Sequence, residues 1–234
     1  MATRQKQPLE PRKQPQQARS MATVSAILEG VAQVLETDGF EKMTTTRVAE
    51  RAGTSVGTLY QYFPSKDALL VAVVEAKMAL IDRALSTIFD LPATAPLDEH
   101  VRVMIVALID EKKRRPRLNA ELARQVPRLA QQRLITRTLD RAHGMVRALL
   151  DAHPHETSVT DTDLAAWLIV HGVNGMIDGA LLGEPSRLED PRLAEAIVAH
   201  VLGAVGAKDA ARAEGGGRRP PRAGSRRQQL GPAS

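Results

Sequence analysis

The sequence predicts an all-α fold of about nine helices, and three observations carry that prediction. Between two polar tails, apolar residues recur at three- and four-residue intervals throughout. No strand-like alternation and no Asn-Gly hairpin signal interrupts them. Aromatic residues are 3% of the 234-residue chain, so the core is aliphatic and alanine-rich, which suits helices better than sheets.

Taken in order, Val24, Ile27, Leu28, Val31, Val34 and Leu35 form the stripe of a first helix, which the Asp38-Gly39 pair ends. A short helix follows over residues 45–52, closed by Gly53. A second short helix covers residues 56–62, with Thr54 or Ser55 as its cap. Pro64-Ser65 resets the chain, and Ser65 caps a long helix over residues 66–90. Residues 91–96 are a loop. Residues 97–115 form a fifth helix, stopped by Pro116. Residues 117–126 are a short helical piece, and Pro127 opens a long helix that reaches residue 152. His153-Pro154-His155 breaks the pattern. Residues 160–182 are helical again, with Thr160 as cap and Asp163 completing an approximate capping box. Gly183-Glu184-Pro185 ends that helix. Asp190 caps, and Pro191 opens, a last helix over residues 191–204.

Composition excludes several classes. Without cysteine there is no disulfide scaffold, thiol catalysis or Cys-ligated zinc, which fits a reducing cytoplasm. The first twenty residues are polar and basic, with no apolar segment of the signal-peptide type. The longest mostly apolar run, residues 164–182, contains His171, Asn174 and Asp178. An Asp near a bilayer centre costs roughly 2.5–3.5 kcal/mol, so the run is read as a buried helix of a soluble protein. Charge is unevenly placed. Residues 1–20 carry +4 and residues 207–234 carry +5, leaving −4 on the body of a chain whose total is +5. Residues 1–18 and 207–234 are too polar to bury a core and are expected to be a disordered basic arm and tail. Such segments either solubilise the protein or touch a phosphate backbone, as Arg12, Lys13 and Arg19 of the arm could.

The most informative stretch runs TTTRVAERAGTSVGTLYQYFPSK from Thr44 to Lys66. Two short helices joined by a tight turn make a helix-turn-helix. The crossing needs a small residue, which Ala49 supplies, and a turn residue that tolerates positive φ, which Gly53 supplies. Val48 and Ala52 on the first helix, with Leu59 and Phe63 on the second, face the supporting helix over residues 21–38. The remaining residues of the second helix are Ser55, Val56, Gly57, Thr58, Tyr60 and Tyr62. They are short, hydroxyl-bearing or ring-bearing and free of acids, as a helix facing phosphates and base edges requires. Gly57 clears the way for backbone to approach a groove. Lys66 opens the next helix, whose N-terminus also favours a phosphate. Tyr60 and Phe63 could instead be purely core. The expected disposition is Leu59 and Phe63 inside, with Tyr60 and Tyr62 mixed and their phenol ends outward.

This stretch, with the preceding Gly39-Phe40, resembles the N-terminal domain of TetR-family transcriptional regulators, whose pattern stands here as AERAGTSVGTLYQYFPSK. The resemblance implies a DNA-binding domain over residues 19–66 and an effector-binding and dimerisation domain over residues 67–206. Thr45 and Thr58 would donate to phosphates, Tyr60 and Tyr62 would meet the sugar-phosphate backbone, and Lys66 would pair with a phosphate. Thr46, Val56 and Gly57 occupy the positions that reach base edges, and Arg47 reaches the backbone or groove edge. Thr46 is a departure, because a long basic side chain there would read guanine. Contacts to thymine methyls and shape readout are expected instead.

Residues 67–206 carry no nucleophile elbow, P-loop, dinucleotide fingerprint or His-Glu-x-x-His motif, so no enzyme, cofactor or metal is expected. Trp167, His171, Asn174 and Asp178 share one face of the eighth helix, while Gly172, Gly175 and Gly179 permit close approach of another helix. Two readings of that face stay open. It lines a ligand pocket through Trp167, His171 and Asn174 with Met104, Leu108 and Met145, or it is a satisfied polar stripe in the core or at a dimer interface. With Phe89 and Trp167 as this domain's aromatics, flat aromatic cations are poor ligands, and an aliphatic, acyl or small neutral effector is expected. The resemblance further implies a homodimer through the last two long helices and release from a double-stranded DNA operator by a small molecule, with repression as the default sign. The alternative is a helical protein–protein or non-specific nucleic-acid module driven by the basic tails.

Overall fold

A computed structural model of the chain describes residues 18–86, 91–92, 94–129 and 133–207. The basic arm, the tail beyond residue 207 and Phe89 lie outside the described residues, as do Arg12, Lys13 and the side chain of Arg19. Among the described residues there are nine α-helices, one 3-10 turn and no strand. They are α1 (Ala18–Lys42), α2 (Thr45–Arg51), α3 (Val56–Tyr62), α4 (Lys66–Ser86), α5 (Leu97–Arg114), α6 (Pro116–Leu129), α7 (Arg133–Ala152), α8 (Thr162–Gly183) and α9 (Pro191–Ala204), with the 3-10 turn at Pro185–Glu189.

The short helices form where the sequence supplies caps. The Thr44 side chain accepts from Arg47 N–H at α2, the Ser55 side chain from Thr58 N–H at α3, and Ser65 Oγ from Ala68 N–H at α4. Four details differ from the sequence reading. Gly39 breaks α1 with φ 73°, but a last helical turn resumes beyond it, because the Glu121 carboxylate accepts from Phe40 N–H at 2.9 Å. Pro116 opens α6, and Pro127 lies in the last turn of that helix instead of opening α7. Pro127 has no N–H to return to the carbonyl of residue 123, and the helix ends two residues later. The cap of α8 is Asp161, which accepts from Leu164 N–H, and not Thr160. Finally, α8 is not buried on all sides.

Two apolar cores result. The first joins α1, α2, α3 and the start of α4, from Ile27 to Val74, and takes in Leu118 and Leu122 of α6. The second joins α5, α7, α8 and α9. The helix α6 therefore stands between them, packed on α1 on one side and against α8 on the other. Among the described residues, Thr162–Gly183 is the one helix long and apolar enough to cross a membrane, and less than half of its apolar window is buried. Its Asp178 pairs with Lys112 at 2.6 Å. Its Leu164, Trp167, Leu168 and Leu182 are exposed, and a Cβ added at Gly172, Gly175 or Gly179 would meet nothing within 4 Å. The run read as a buried helix is thus buried on one side within the single chain, and its other face is apolar and open.

Candidate nucleic-acid interface and internal cavity

The α2–α3 pair is held by backbone geometry as much as by side chains. Gly53 turns the chain at φ 63°, and Thr54 N–H donates to Ala49 O at 3.0 Å across the turn. Val48, Leu59 and Phe63 are buried against α1, and Ala49 is buried where the helices cross. Sequence reasoning missed Gly30. A Cβ there would sit 3.0 Å from Ala52 N and Val48 O, so the close approach of α1 to α2 depends on its absence. A glycine inside a strongly periodic helix was the available signal.

Placed on that frame, Thr46, Arg47, Ser55, Gly57 and Tyr60 are exposed, and Thr45, Val56, Thr58 and Lys66 are half-buried. The hydroxyls form local pairs: Ser55 with Thr58 at 2.8 Å, and Thr45 with Tyr60 at 3.2 Å across the two helices. Arg47 pairs with Asp38 at 3.1 Å, which neutralises an acid next to the surface. Lys66 Nζ donates to Glu41 O at 3.3 Å and lies 4.1 Å from the centre of the Phe40 ring. A Cβ at Gly57 would touch only Ser55 Oγ, at 3.7 Å, so no neighbour inside the chain demands glycine there. Tyr62 departs from the outward disposition expected of it. Its ring is buried and its hydroxyl is 2.9 Å from Ser20 Oγ, so it ties α3 to the start of α1. The exposed surface of α3 carries no acid, and it offers short donors able to meet phosphates together with a glycine that admits close approach.

The second core encloses a cavity of about 500 Å³ walled by α4, α5, α6, α7 and α8. Its size falls within the usual range for small-molecule sites. It brings together Met104, Leu108, Met145, His171 and Asn174. It does not include Trp167, which lies on the open face of α8, stacked on His171 at 4.3 Å between ring centres. Sequence reasoning missed the polar part of the wall. Lys77 Nζ donates to Glu111 Oε1 at 2.6 Å, and Arg114 also reaches that carboxylate, at 3.1 Å. Burial pulls the Lys77 ammonium below its ordinary value, against the opposing pull of Glu111. Asn119 and Thr138 are buried wall residues as well. No helical period marks such residues in a sequence. In the His153-Pro154-His155 segment, both ring nitrogens of His153 lie near backbone oxygens, of Leu149 at 2.8 Å and Ala95 at 3.1 Å. Among the described residues no group of three potential ligands could hold a metal.

The helix α6 links the two sites. Arg115, at its start, donates twice to Glu36, at 2.8 and 2.6 Å, and once to Glu29 at 2.9 Å, both on α1. These bonds, to Glu36 above all, raise the guanidinium further above its ordinary value. Nearly two turns on, Glu121 holds Phe40 N–H, and Gln125 donates to the same carboxylate oxygen at 3.2 Å. Leu122 of the same helix is buried in the first core and also lines the cavity.

Comparison with known proteins agrees with this architecture. The profile described as "Bacterial regulatory proteins, tetR family" matches residues 27–73, and that described as "Tetracyclin repressor-like, C-terminal domain" matches residues 96–203. The HTH-type transcriptional repressor KstR of Rhodococcus jostii is 30% identical over 156 residues, which covers 61% of this chain and 71% of that protein. The nucleoid occlusion factor SlmA of Vibrio atlanticus is 30% identical over 132 residues, 53% of this chain and 64% of that protein. Among solved structures, the fatty acid degradation regulator FadR from Bacillus halodurans superposes with a TM-score of 0.66 at 18% identity, covering 84% of this chain and all of that one, a likeness of fold.

Proposed function

The chain belongs to the TetR family of bacterial transcriptional regulators, and from that premise we propose how its own residues read DNA and let it go. It is a ligand-responsive DNA-binding regulator of transcription. In our reading it is a cytoplasmic repressor and not an enzyme, in line with the name of its KstR relative. The head spans residues 19–66 and the effector and dimerisation domain residues 67–206. Each subunit lays α3 in the major groove. Half-sites then lie one or more helical turns apart, at roughly 34–36 Å per turn.

The observation that carries this reading is the acid-free surface of α3, with its Ser55–Thr58 and Thr45–Tyr60 hydroxyl pairs and the exposed Gly57. On DNA these hydroxyls turn to phosphates, joined by Arg47 and Lys66. Thr46, Val56 and Gly57 meet base edges, so a selected site is rich in thymine methyls and not in guanines opposite Val56. Tyr62 acts from inside, by holding α3 on α1 through Ser20, and touches DNA only if that bond opens.

The open face of α8 is taken by the same face of a second copy, with α9 beside it. A homodimer buries Leu164, Trp167 and Leu168 and brings the exposed glycines against a partner helix. The effector enters the cavity, and its push reaches the head along two routes. One is α4, which walls the cavity with Lys77 and opens beside the reading helix at Lys66. The other is α6, which walls the cavity with Asn119 and Leu122 and grips α1 through Arg115 and Glu121. Shifting either helix changes the separation of the two reading heads, and DNA affinity falls. Footprinting the purified protein on DNA flanking its own gene tests the reading: one discrete palindromic site is expected. Uniform, salt-sensitive binding without a site would replace it with the tail-driven alternative, and deletion of residues 1–18 would then abolish binding instead of lowering its salt slope.

A further inference from the structure

We propose that the effector is an uncharged aliphatic molecule whose polar end donates a hydrogen bond, an alcohol or a primary or secondary amide, and that Asn119 and Thr138 receive that end. This rests on the reading of the cavity as the effector site. Among the described residues, two buried side-chain atoms have no hydrogen-bond partner, Asn119 Oδ1 and Thr138 Oγ1, and both residues line the cavity. Their residues are 2% and 5% exposed, so bulk solvent does not satisfy them.

The amide of Asn119 cannot simply be turned over. Its nitrogen donates to Glu111 O at 3.1 Å and to Lys112 O at 2.8 Å, and an oxygen placed there would face two carbonyl oxygens. The free atom is therefore an acceptor, and only a donor satisfies it. A carboxylate, a ketone or an ester has no donor to offer. Thr138 can donate or accept, so it serves as second partner to a hydroxyl or to an amide oxygen.

Charge selects further. The cavity's two lysines are already neutralised, Lys77 by Glu111 and Lys112 by Asp178, each at 2.6 Å. An anionic head group would have to break one of these pairs. A cationic head would find its carboxylates occupied and two ammonium groups nearby. His100, His153, His171 and Asn174 also line the wall, each with a ring or amide nitrogen already on a backbone carbonyl, and the rest is Leu, Ile, Met, Val and Ala, which suits a hydrocarbon body.

The test uses the full-length protein and four ten-carbon probes, decanol, decanamide, decanoate and decylamine, with 2-undecanone as an acceptor-only control. Binding is followed by calorimetry, and release is followed by anisotropy on the footprinted DNA fragment. Decanol and decanamide are expected to bind at least tenfold more tightly than the two ions and severalfold more tightly than the ketone, and to release DNA in the same order. Thr138→Val is expected to lower decanol affinity about three- to tenfold, the usual span for one hydrogen bond. Asn119→Leu is expected to erase the preference of alcohol over ketone, a ratio that does not depend on overall stability. Equal or tighter binding of decanoate or decylamine overturns the proposal, as does an alcohol preference that survives both substitutions, and so does binding of none of the probes. In all three cases specific DNA binding by the free protein would leave the regulatory reading standing, while its absence would remove that reading instead.

Discussion

The head and the body of this molecule are built to different standards of completion. In the head, α1, α2, α3 and the start of α4 close around fully buried Ile27, Val31, Leu59, Phe63 and Leu69, and backbone meets backbone at Gly30 with no space for a methyl group. In the body, a cavity of about 500 Å³ stays open, two buried polar atoms wait for partners, and one long helix shows an apolar face. The head needs nothing more to be a rigid reader. In the function proposed above, the body is completed by other molecules, a ligand inside and a second copy outside, and this is what would allow those molecules to act on it. A filled core transmits a displacement, and an unfilled one accepts a ligand that creates the displacement.

Substitutions of opposite sign break or sharpen that contrast most strongly. Leu59→Ala in the head should cost about 2–5 kcal/mol in urea unfolding, since the side chain is wholly buried and its site cannot collapse. Ala142→Leu, on the cavity wall, adds volume where there is space. It should leave stability within about 1 kcal/mol of the parent or raise it, while removing the response to effector. Equal losses at both positions would mean that the cavity is closed in solution and the contrast is false.

Next in size are the losses at the DNA surface. Thr58→Ala and Tyr60→Phe each remove one hydroxyl of a pair on the α2–α3 surface. Operator affinity by anisotropy should fall about tenfold or more for each, as expected for a hydrogen bond to a charged phosphate. The melting temperature should hardly move, because both hydroxyls lie at the surface. A large drop in stability with unchanged affinity would turn this surface into a structural feature and remove it from the reading head.

These residues were legible in the sequence for a physical reason. The helix-turn-helix is local: its caps, turn glycine and apolar anchors fall within some twenty consecutive residues, and each has a spacing that periodicity reveals. The helices of the body were legible too, apart from the ends around Pro116, Pro127 and Asp161. What was not legible is long-range. Arg115 meets Glu36 and Glu29 across 79 and 86 residues, and Lys77 meets Glu111 across 34. Nothing in a single sequence pairs one charged surface residue with another at such distances. Tyr62 shows the same limit within the motif. Tyr60 and Gln61 before it are exposed, but the partner that turns it in, Ser20, lies 42 residues away.

The Arg115 clamp provides a smaller and sharper test. The side chain is about one-third exposed, so Arg115→Met should cost no more than about 1 kcal/mol of stability. Its effect should appear in coupling. Operator affinity of the free protein should stay within about twofold, and the effector concentration needed for release should rise severalfold, a coupling change of order 1 kcal/mol. If release is unchanged, α6 does not carry the signal and α4 carries it alone.

The smallest effect follows from how the two regions cap their helices. The head uses hydroxyls, Thr44, Ser55 and Ser65, which add no negative charge to the proposed DNA surface. The body uses carboxylates: Asp161 at α8, Asp190 at α9, and Glu156 Oε2, which accepts from Leu97 N–H at the start of α5. The hydrogen bonds from the Arg192 side chain and backbone hold the Asp190 carboxyl down at about 2, against an ordinary 3.8. A carboxyl lowered by folding stabilises the native state when the pH is above its unfolded value, and that contribution fades as the pH falls through the folded value. Asp190→Asn keeps an acceptor for Arg192 N–H but removes the charge. The difference in urea midpoint between parent and variant should therefore be small and constant from pH 7 to about 5, and should shrink through the window from about 4 to 2. Ser55→Ala in the head should show a difference with no such slope, because a hydroxyl cap does not titrate there. A pH-dependent loss at Ser55 or a flat one at Asp190 would show that the two regions do not divide their capping chemistry in this way.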